Sequence, residues 1–199
     1  MAFEILRSAV EHARRRACCG LLTHAYFSIM TAINRPFRKY PPSVLCRKIL
    51  CSAFQPRPFP DSERQLFAEK HAYAMVRTIK RHLENGYQLT GVETRTETGR
   101  RDLTFANLLG KRISEVKCGR QVTDADRIQA ALYWEQGYDE VVVSTRLEDL
   151  LLPPTFIQKV RVSAKLTIEL LNTQPDVADS GFKPHPAACC YCANKQCPF

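Results

Sequence analysis

The triplet Glu115-Val116-Lys117 sets two opposite charges on one side of a predicted strand. Strand residues two apart point to the same face, so Glu115 and Lys117 project together while Val116 faces the core. Asp102 lies upstream on a second predicted strand. If the two strands pair, Asp102 and Glu115 can share one divalent cation, and hard carboxylate oxygens suit magnesium or manganese.

Hydrolysis of a phosphodiester is the chemistry that such a group of residues can perform. A bound cation polarises the phosphate and lowers the pKa of a bound water. Lys117 can orient that water and stabilise the developing negative charge. The alternative is a solvated charge pair on an exposed strand, which is the commoner origin of a Glu-x-Lys triplet taken alone.

Cysteines form the second group of candidate ligands, because nine of them in 199 residues is a high number. Near the C-terminus Cys189 and Cys192 form a C-x-x-C, and Cys197 follows after four residues. Such crowded thiolates bind zinc or an iron–sulfur cluster, which normally takes four protein ligands. The fourth must come from elsewhere, with Cys46 as the first candidate and Cys51 as the second.

Cys18 and Cys19 are further alternatives for the fourth ligand, whereas Cys118, next to Lys117, is predicted to be a small packing residue. A centre held by Cys46 and Cys197 would tie together two distant parts of the chain. Its ligand bonds would couple metal binding to folding, which favours a structural role over electron transfer.

Hydrophobic periodicity and turn residues predict the elements that carry these side chains. The order is helix, antiparallel strands, helix, strand and helix, which indicates a mixed α/β domain with a small central sheet. The first half of the chain is predicted to form a helix over residues 2–33, a proline-rich irregular arm over 35–60 and a helix over 62–85, which Asp61 or Ser62 caps and Gly86 ends. A β-meander follows over residues 87–118 with a turn at Gly110-Lys111, and then a helix over 124–136, which has a capping box of Thr123 and Asp126 and ends at Gly137. The remaining predicted elements are a buried strand at 141–143, a helix over 155–172 and a loop from Thr173.

Three more side chains complete an ordered set around the acidic residues. His71 lies in the middle of the helix before the sheet, and Gln129 and Tyr133 share one face of the helix after it. The full order is His71, Asp102, Glu115-Val116-Lys117, Gln129 and Tyr133. In this order the chain resembles the RecB-like branch of the PD-(D/E)XK nucleases.

The resemblance implies a role for each residue of the set. It implies that His71, Asp102 and Glu115 bind metal, with help from the carbonyl of Val116. It also implies that Lys117 is catalytic and that Gln129 and Tyr133 help to place DNA or the lysine. One cysteine before these motifs and three after them is similar to the CRISPR-associated RecB-like exonucleases, over residues 43–199. For the cofactor this implies an iron–sulfur cluster, 4Fe-4S rather than 2Fe-2S, on Cys46, Cys189, Cys192 and Cys197, with Cys190 an alternative to Cys189.

These inferences combine into one prediction of organisation. Residues 1–60 are predicted to form a helical segment and cluster arm. Residues 61–172 are predicted to form a PD-(D/E)XK restriction-endonuclease-like α/β core, with a small mixed sheet flanked by helices. Residues 173–199 are predicted to form a cysteine tail that packs with residues 43–60 in an iron–sulfur subdomain. The implied activity is a magnesium- or manganese-dependent DNA exonuclease on single-stranded ends, which trims DNA beside the CRISPR spacer-acquisition integrase complex. The alternatives are a repair or viral recombination nuclease of the same fold and a non-catalytic zinc-dependent nucleic-acid-binding protein.

Composition agrees with a polyanionic partner, because the net charge is +9. A basic group before the long helix is either a DNA-contacting surface or a solvated arm. Its members are Arg35, Arg38, Lys39, Arg47 and Lys48. Residues 17–33 are apolar but short and interrupted by polar residues, so no membrane partner and a cytoplasmic location are expected. A homo-oligomer is left open.

Overall fold

The computed structural model describes residues 40–96, 99–134, 137–173 and 185–194. The predicted helix over 2–33 lies outside the described residues, as do Cys18, Cys19 and Cys197. The basic residues Arg35, Arg38 and Lys39 also lie outside them. Within the described ranges, no helix is long and apolar enough to cross a membrane.

A five-stranded mixed sheet lies at the centre of the described chain and confirms the predicted mixed α/β class. Its third and fourth strands pair in parallel, and the other neighbouring strands pair antiparallel. A parallel pair requires a crossover connection, which is supplied by the helix between these two strands. In spatial order the strands are β1 (Gln88–Arg95), β2 (Arg100–Asn107), β3 (Gly110–Val116), β4 (Glu140–Ser144) and β5 (Asp149–Leu151).

Helices cover both faces of this sheet. The helices of the described chain are α1 (Pro42–Leu50), α2 (Asp61–Glu84), α3 (Asp124–Leu132), α4 (Pro154–Thr173) and α5 (Pro186–Cys189). Val116 belongs to the core under α2, whereas its neighbour Glu115 contacts Gln129 of α3. Because successive strand residues point to opposite faces, α2 and α3 lie on opposite sides of β3. The second core joins α1, α3 and α4 with β4.

The long helix α2 begins and ends for different reasons from those predicted. Its N-cap is Pro60, and no side chain caps it, so the predicted cap at Asp61 or Ser62 is wrong. Asp61 and Glu63 instead lie in the first turn, where negative charge is favourable to the helix dipole. Gly86 follows the helix with φ +79, which confirms its predicted place at the C-terminus.

The irregular arm predicted over residues 35–60 contains the helix α1, so that prediction is wrong. Pro42 occupies the first turn, where the absent N–H costs nothing, and no proline interrupts residues 43–50. The prolines therefore flank a helix rather than prevent one. The short elements β5 and α5, of three and four residues, were not predicted because so few residues carry no periodic signal.

Two turns also differ from the prediction. Leu108 and Leu109 form the turn before β3, and Gly110 begins the strand, where a Cβ atom would clash with the carboxylate of Asp139. The helix α3 has the predicted capping box of Thr123 and Asp126 but ends at Leu132, with Tyr133 as its C-cap, rather than at Gly137.

We expect Phe105→Ala to lower the free energy of unfolding by about 3–5 kcal/mol, because it leaves a cavity in the core. The Phe105 side chain is fully buried and stacks on His82 with ring centroids 4.3 Å apart. Denaturant unfolding measures this change. Leu108→Ala in the same hairpin is the control, since that side chain is fully exposed and its loss should cost less than about 0.5 kcal/mol. Equal effects of the two substitutions would contradict the described register.

Candidate active site

The predicted acidic residues meet where β2 begins and β3 ends. Because these strands are antiparallel, Asp102 near the start of β2 lies beside the last residues of β3. Asp102 Oδ2 accepts a hydrogen bond from the backbone N–H of Val116 at 2.8 Å. On the other side, Nε2 of His71 on α2 lies 3.3 Å from Asp102 Oδ1. The structure thus brings His71, Asp102 and Val116 together from three elements.

Glu115, Lys117 and Gln129 form a closed hydrogen-bonded ring. Lys117 Nζ donates to Glu115 Oε1 and to Gln129 Oε1, each at 2.9 Å. Gln129 Nε2 donates to the same Glu115 oxygen at 2.8 Å. The predicted common face of Glu115 and Lys117 is confirmed. The alternative of a solvated charge pair on an exposed strand does not hold, because the side chain of Glu115 is only 4% exposed.

Carboxylates on two sides keep Lys117 charged. Burial disfavours the ammonium, but the negative charges of Glu115 and Asp126 more than offset this and raise the pKa of Lys117 above its usual range. Asp126 Oδ1 lies 3.6 Å from Lys117 Nζ. Lys117 is therefore a permanent positive charge at neutral pH and cannot serve as a proton acceptor.

Glu115 is a buried carboxylate with one engaged oxygen and one open one. Burial raises its pKa, and the charge of Asp102 raises it further, while Lys117 opposes both effects. Glu115 Oε2 is buried and has no hydrogen-bond partner among the described residues. An orphaned carboxylate oxygen of this kind is unfavourable unless a ligand satisfies it.

His71 and Tyr133 complete the predicted set. Burial alone would lower the pKa of His71, but its hydrogen bond to the Asp102 carboxylate raises it to about 10. Tyr133 is buried, and burial together with the Glu115 charge raises its pKa. Cys118 is half-buried and lines the same cleft as His71, rather than being the small packing residue that was predicted.

Asp126 is the residue of this site that the sequence did not reveal. It was predicted only as part of the capping box, and its Oδ2 does accept hydrogen bonds from Thr123 N and Oγ1 at 3.0 and 2.7 Å. Its other oxygen faces Lys117. The available signal was its position three residues before Gln129, which places both side chains on one helical face.

All of these residues except Tyr133 line the acidic end of a cleft of about 880 Å³. The rest of its lining includes basic and aromatic side chains from three segments of the chain. They are Arg47, Arg57, Arg64 and Lys70, and Phe54, Phe59, Phe67 and Tyr191. Lys48, which was predicted in the same basic arm as Arg47, does not line the cleft and donates instead to the Phe54 carbonyl at 3.0 Å.

The oxygens of Asp102 and Glu115 are hard donors of the kind that magnesium and manganese prefer. Glu115 Oε2 has no hydrogen-bond partner among the described residues, whereas Asp102 Oδ1 lies 3.3 Å from His71 Nε2 and Asp102 Oδ2 accepts from Val116 N. In the described residues, no three His, Cys, Asp or Glu side chains are arranged as a metal-binding group. His71 would have to release Asp102 Oδ1 and lose its proton before it could serve as a ligand, because a metal binds the neutral imidazole.

A second, smaller pocket of about 60 Å³ is lined by Cys51, Cys189 and Cys192. Backbone N–H groups of Gln55 and Asn194 donate to Cys192 Sγ at 3.5 and 3.4 Å. Cys190 is exposed and does not line this pocket, and none of the six described cysteines forms a disulfide.

Cys46, the first candidate for the fourth ligand, lies elsewhere. It is fully buried in the core with α3 and α4, and its Sγ donates to the Ser43 carbonyl at 3.4 Å. Burial raises the pKa of its thiol to about 11, so the thiolate is disfavoured. The described structure therefore does not bring Cys46 together with Cys189 and Cys192, whereas Cys51 lies with both.

The cleft thus places two buried carboxylates and the ammonium of Lys117 next to a wall of basic side chains. No protein-family model, curated protein or solved structure matches the chain.

We expect Mn²⁺ to bind the acidic end more weakly as the pH falls. Because burial raises the pKa of Glu115, a proton competes with the cation for this carboxylate near neutral pH. Calorimetric titration should show the affinity of the wild-type protein fall roughly tenfold or more between about pH 8 and about pH 6.

Glu115→Gln should bind Mn²⁺ weakly at every pH. Glu140→Gln is the matched control, since Glu140 pairs with Arg112 at 2.7 Å outside the cleft and its loss should leave the pH dependence intact. An affinity that does not change with pH would contradict the role of Glu115.

Proposed function

We propose that the protein is a metal-dependent nuclease of the PD-(D/E)XK type that degrades DNA from single-stranded ends. The observation that carries this proposal is the buried ring of Glu115, Lys117 and Gln129 beside Asp102. A lysine kept protonated next to two carboxylates suits a site that must hold a cation and a phosphate at once. The implied setting of this activity is the trimming of DNA ends for CRISPR spacer acquisition, beside the integrase complex.

Each side chain has a distinct part in the proposed reaction. Asp102 and Glu115 would hold magnesium or manganese, with His71 and the Val116 carbonyl as further ligands once His71 has lost its proton. A bound cation would polarise the scissile phosphate and lower the pKa of the attacking water. Lys117 supplies positive charge where negative charge develops on the phosphate.

The remaining residues keep Lys117 in place. Gln129 accepts a hydrogen bond from the ammonium and donates one to Glu115, so it fixes the distance between the two charged groups. Tyr133 keeps its proton at neutral pH, because burial and the charge of Glu115 raise its pKa. Asp126 sustains the charge of Lys117 from the other side.

We propose in addition that Cys51, Cys189, Cys192 and Cys197 hold an iron–sulfur cluster of the 4Fe-4S type. Three of these thiols line one pocket, and hydrogen bonds from Gln55 and Asn194 reach the sulfur of Cys192. Cys51 replaces Cys46 in the proposed set because Cys51 lines the pocket with Cys189 and Cys192, whereas Cys46 does not. The same thiols also suit zinc, and metal analysis separates the two.

Cleavage of an end-labelled single strand in Mn²⁺ should require Lys117. Lys117→Ala removes the charge that stabilises the transition state, so the rate should fall on the order of a hundredfold or more. Asp102→Asn should have a similar effect, because it removes a proposed metal ligand. Gel analysis of single-turnover reactions measures both rates.

Lys111→Ala is the control for that experiment, since Lys111 is an exposed lysine of the same strand outside the cleft. It should cleave at the wild-type rate. Near-normal cleavage by both Asp102→Ala and Glu115→Ala would remove the basis of the proposed mechanism.

Anaerobically purified protein should be brown and contain iron, and Cys51→Ser should lose the colour. The yield of folded Cys51→Ser should also fall, because cluster binding is coupled to folding. Cys46→Ser and Cys190→Ser are matched controls that should keep the colour. Zinc in place of iron would exclude the cluster, and a colourless Cys46→Ser with a brown Cys51→Ser would reverse the ligand assignment.

A further inference from the structure

Three aromatic rings form a continuous apolar wall of the cleft, in contrast to its acidic end. The rings of Phe59 and Phe67 meet edge to face with centroids 5.7 Å apart, and the ring of Tyr191 lies 6.0 Å from that of Phe59. All three line the cleft. Phe67 remains 46% exposed although it is a large apolar residue.

Guanidinium groups lie against this aromatic wall. Arg57 lies 5.1 Å from the centre of the Phe59 ring, and Arg47 lies 4.5 Å from that of Tyr191. Nε of Arg47 is buried without a hydrogen-bond partner among the described residues. Rings and cations thus alternate along one surface, and part of the hydrogen-bonding capacity of Arg47 is unused.

The carboxylate partners of the other cations are weakly bound, although Arg64 Nε also donates to the Phe59 carbonyl at 2.9 Å. Arg57 pairs with Glu63 at 3.6 Å and Arg64 pairs with Asp61 at 3.5 Å, and these pairs are solvent-exposed. Exposed pairs contribute little to stability, so a phosphate can displace them readily. The exposed Lys70, one residue before His71, continues the basic surface towards the acidic end.

This combination of chemistries identifies the ligand. Isolated exposed aromatic residues are common, but rings that alternate with cations match the alternation of bases and phosphates along a nucleic-acid strand. Bases in a duplex are stacked on each other and hide their faces. An acidic peptide would satisfy the cations but would leave the rings uncovered.

We propose that Phe59, Phe67 and Tyr191 form a platform on which unpaired bases of a single strand stack, while Arg47, Arg57, Arg64 and Lys70 contact its phosphates. This inference rests on the proposed nuclease function and names what selects its substrate. The platform leads the strand to Asp102 and Glu115 and excludes duplex that has not opened.

The cysteine segment contributes one of the three rings. Tyr191 lies between Cys190 and Cys192, and its carbonyl accepts a hydrogen bond from Arg57 N at 3.0 Å. The segment that carries the proposed cluster ligands therefore also forms part of the strand-binding surface. Loss of the cluster would disturb base stacking before it disturbed the acidic end.

An abasic strand separates stacking from charge, because it keeps every phosphate and lacks every base. Fluorescently labelled oligothymidylate of about 12 nucleotides and an abasic strand of equal length are titrated in EDTA, so that no cleavage occurs. The full-length protein should bind oligothymidylate roughly 5- to 50-fold more tightly than the abasic strand.

Phe67→Ala should erase most of that preference with little change in abasic-strand binding. Tyr191→Leu, which keeps an apolar side chain without a ring, should do the same. Tyr73→Ala is the matched control, since Tyr73 is a 53% exposed aromatic residue of the same helix outside the cleft. Unchanged melting temperatures show that each variant is folded.

Equal affinity of the wild-type protein for the two strands, or no binding of either, would overturn the platform. An equal loss of both affinities in Phe67→Ala would overturn it as well, as would displacement of oligothymidylate by polyglutamate at the same charge concentration. A wild-type protein that prefers oligothymidylate in EDTA but does not cleave it in Mn²⁺ would contradict the proposed nuclease function and leave the platform supported.

Discussion

The hydrogen bonds that Lys117 donates to Glu115 and Gln129 join the end of β3 to α3, and the rest of the site depends on them. Breaking a buried ion pair costs about 3–5 kcal/mol, because one charge is left without its partner. The strand and the helix must therefore keep a fixed register. The capping box of Thr123 and Asp126 helps to fix this register, since Asp126 both takes part in the cap of α3 and faces Lys117.

The same ion pairs balance the charges of the site. Lys117 neutralises part of the charge that Asp102 and Glu115 concentrate at the edge of the sheet, and His71 neutralises another part. A cation that binds there has to displace the interaction of His71 with Asp102. Binding of a metal and a phosphate would therefore replace the contacts of His71 with Asp102 and of Lys117 with Glu115.

Much of this arrangement could be predicted from local patterns. Alternation along β3 placed Glu115 and Lys117 on one face, and the capping box located the start of α3. The helix α1 was missed because its flanking prolines dominate the composition of residues 35–60. Had it been recognised, Leu45, Cys46 and Ile49 at helical spacing would have predicted a buried Cys46, and Cys51 after the helix end would have become the better ligand candidate.

Features that join distant segments could not be predicted in this way. The aromatic wall takes its rings from residues 59, 67 and 191, and only the pairing of residues 55–57 with 191–193 brings them together. That pairing includes a hydrogen bond from Ala193 N to the Gln55 carbonyl at 2.8 Å. It places the cysteine pocket and the cleft on two sides of the same short segment.

Anomalous diffraction from crystals that contain Mn²⁺ and a short phosphorothioate strand tests the central claim most directly, because it locates the metal without relying on activity. The account predicts a manganese peak between the carboxylates of Asp102 and Glu115, with a phosphate group of the strand next to Lys117. A bound strand with no manganese at these carboxylates, or manganese only elsewhere in the protein, would contradict it.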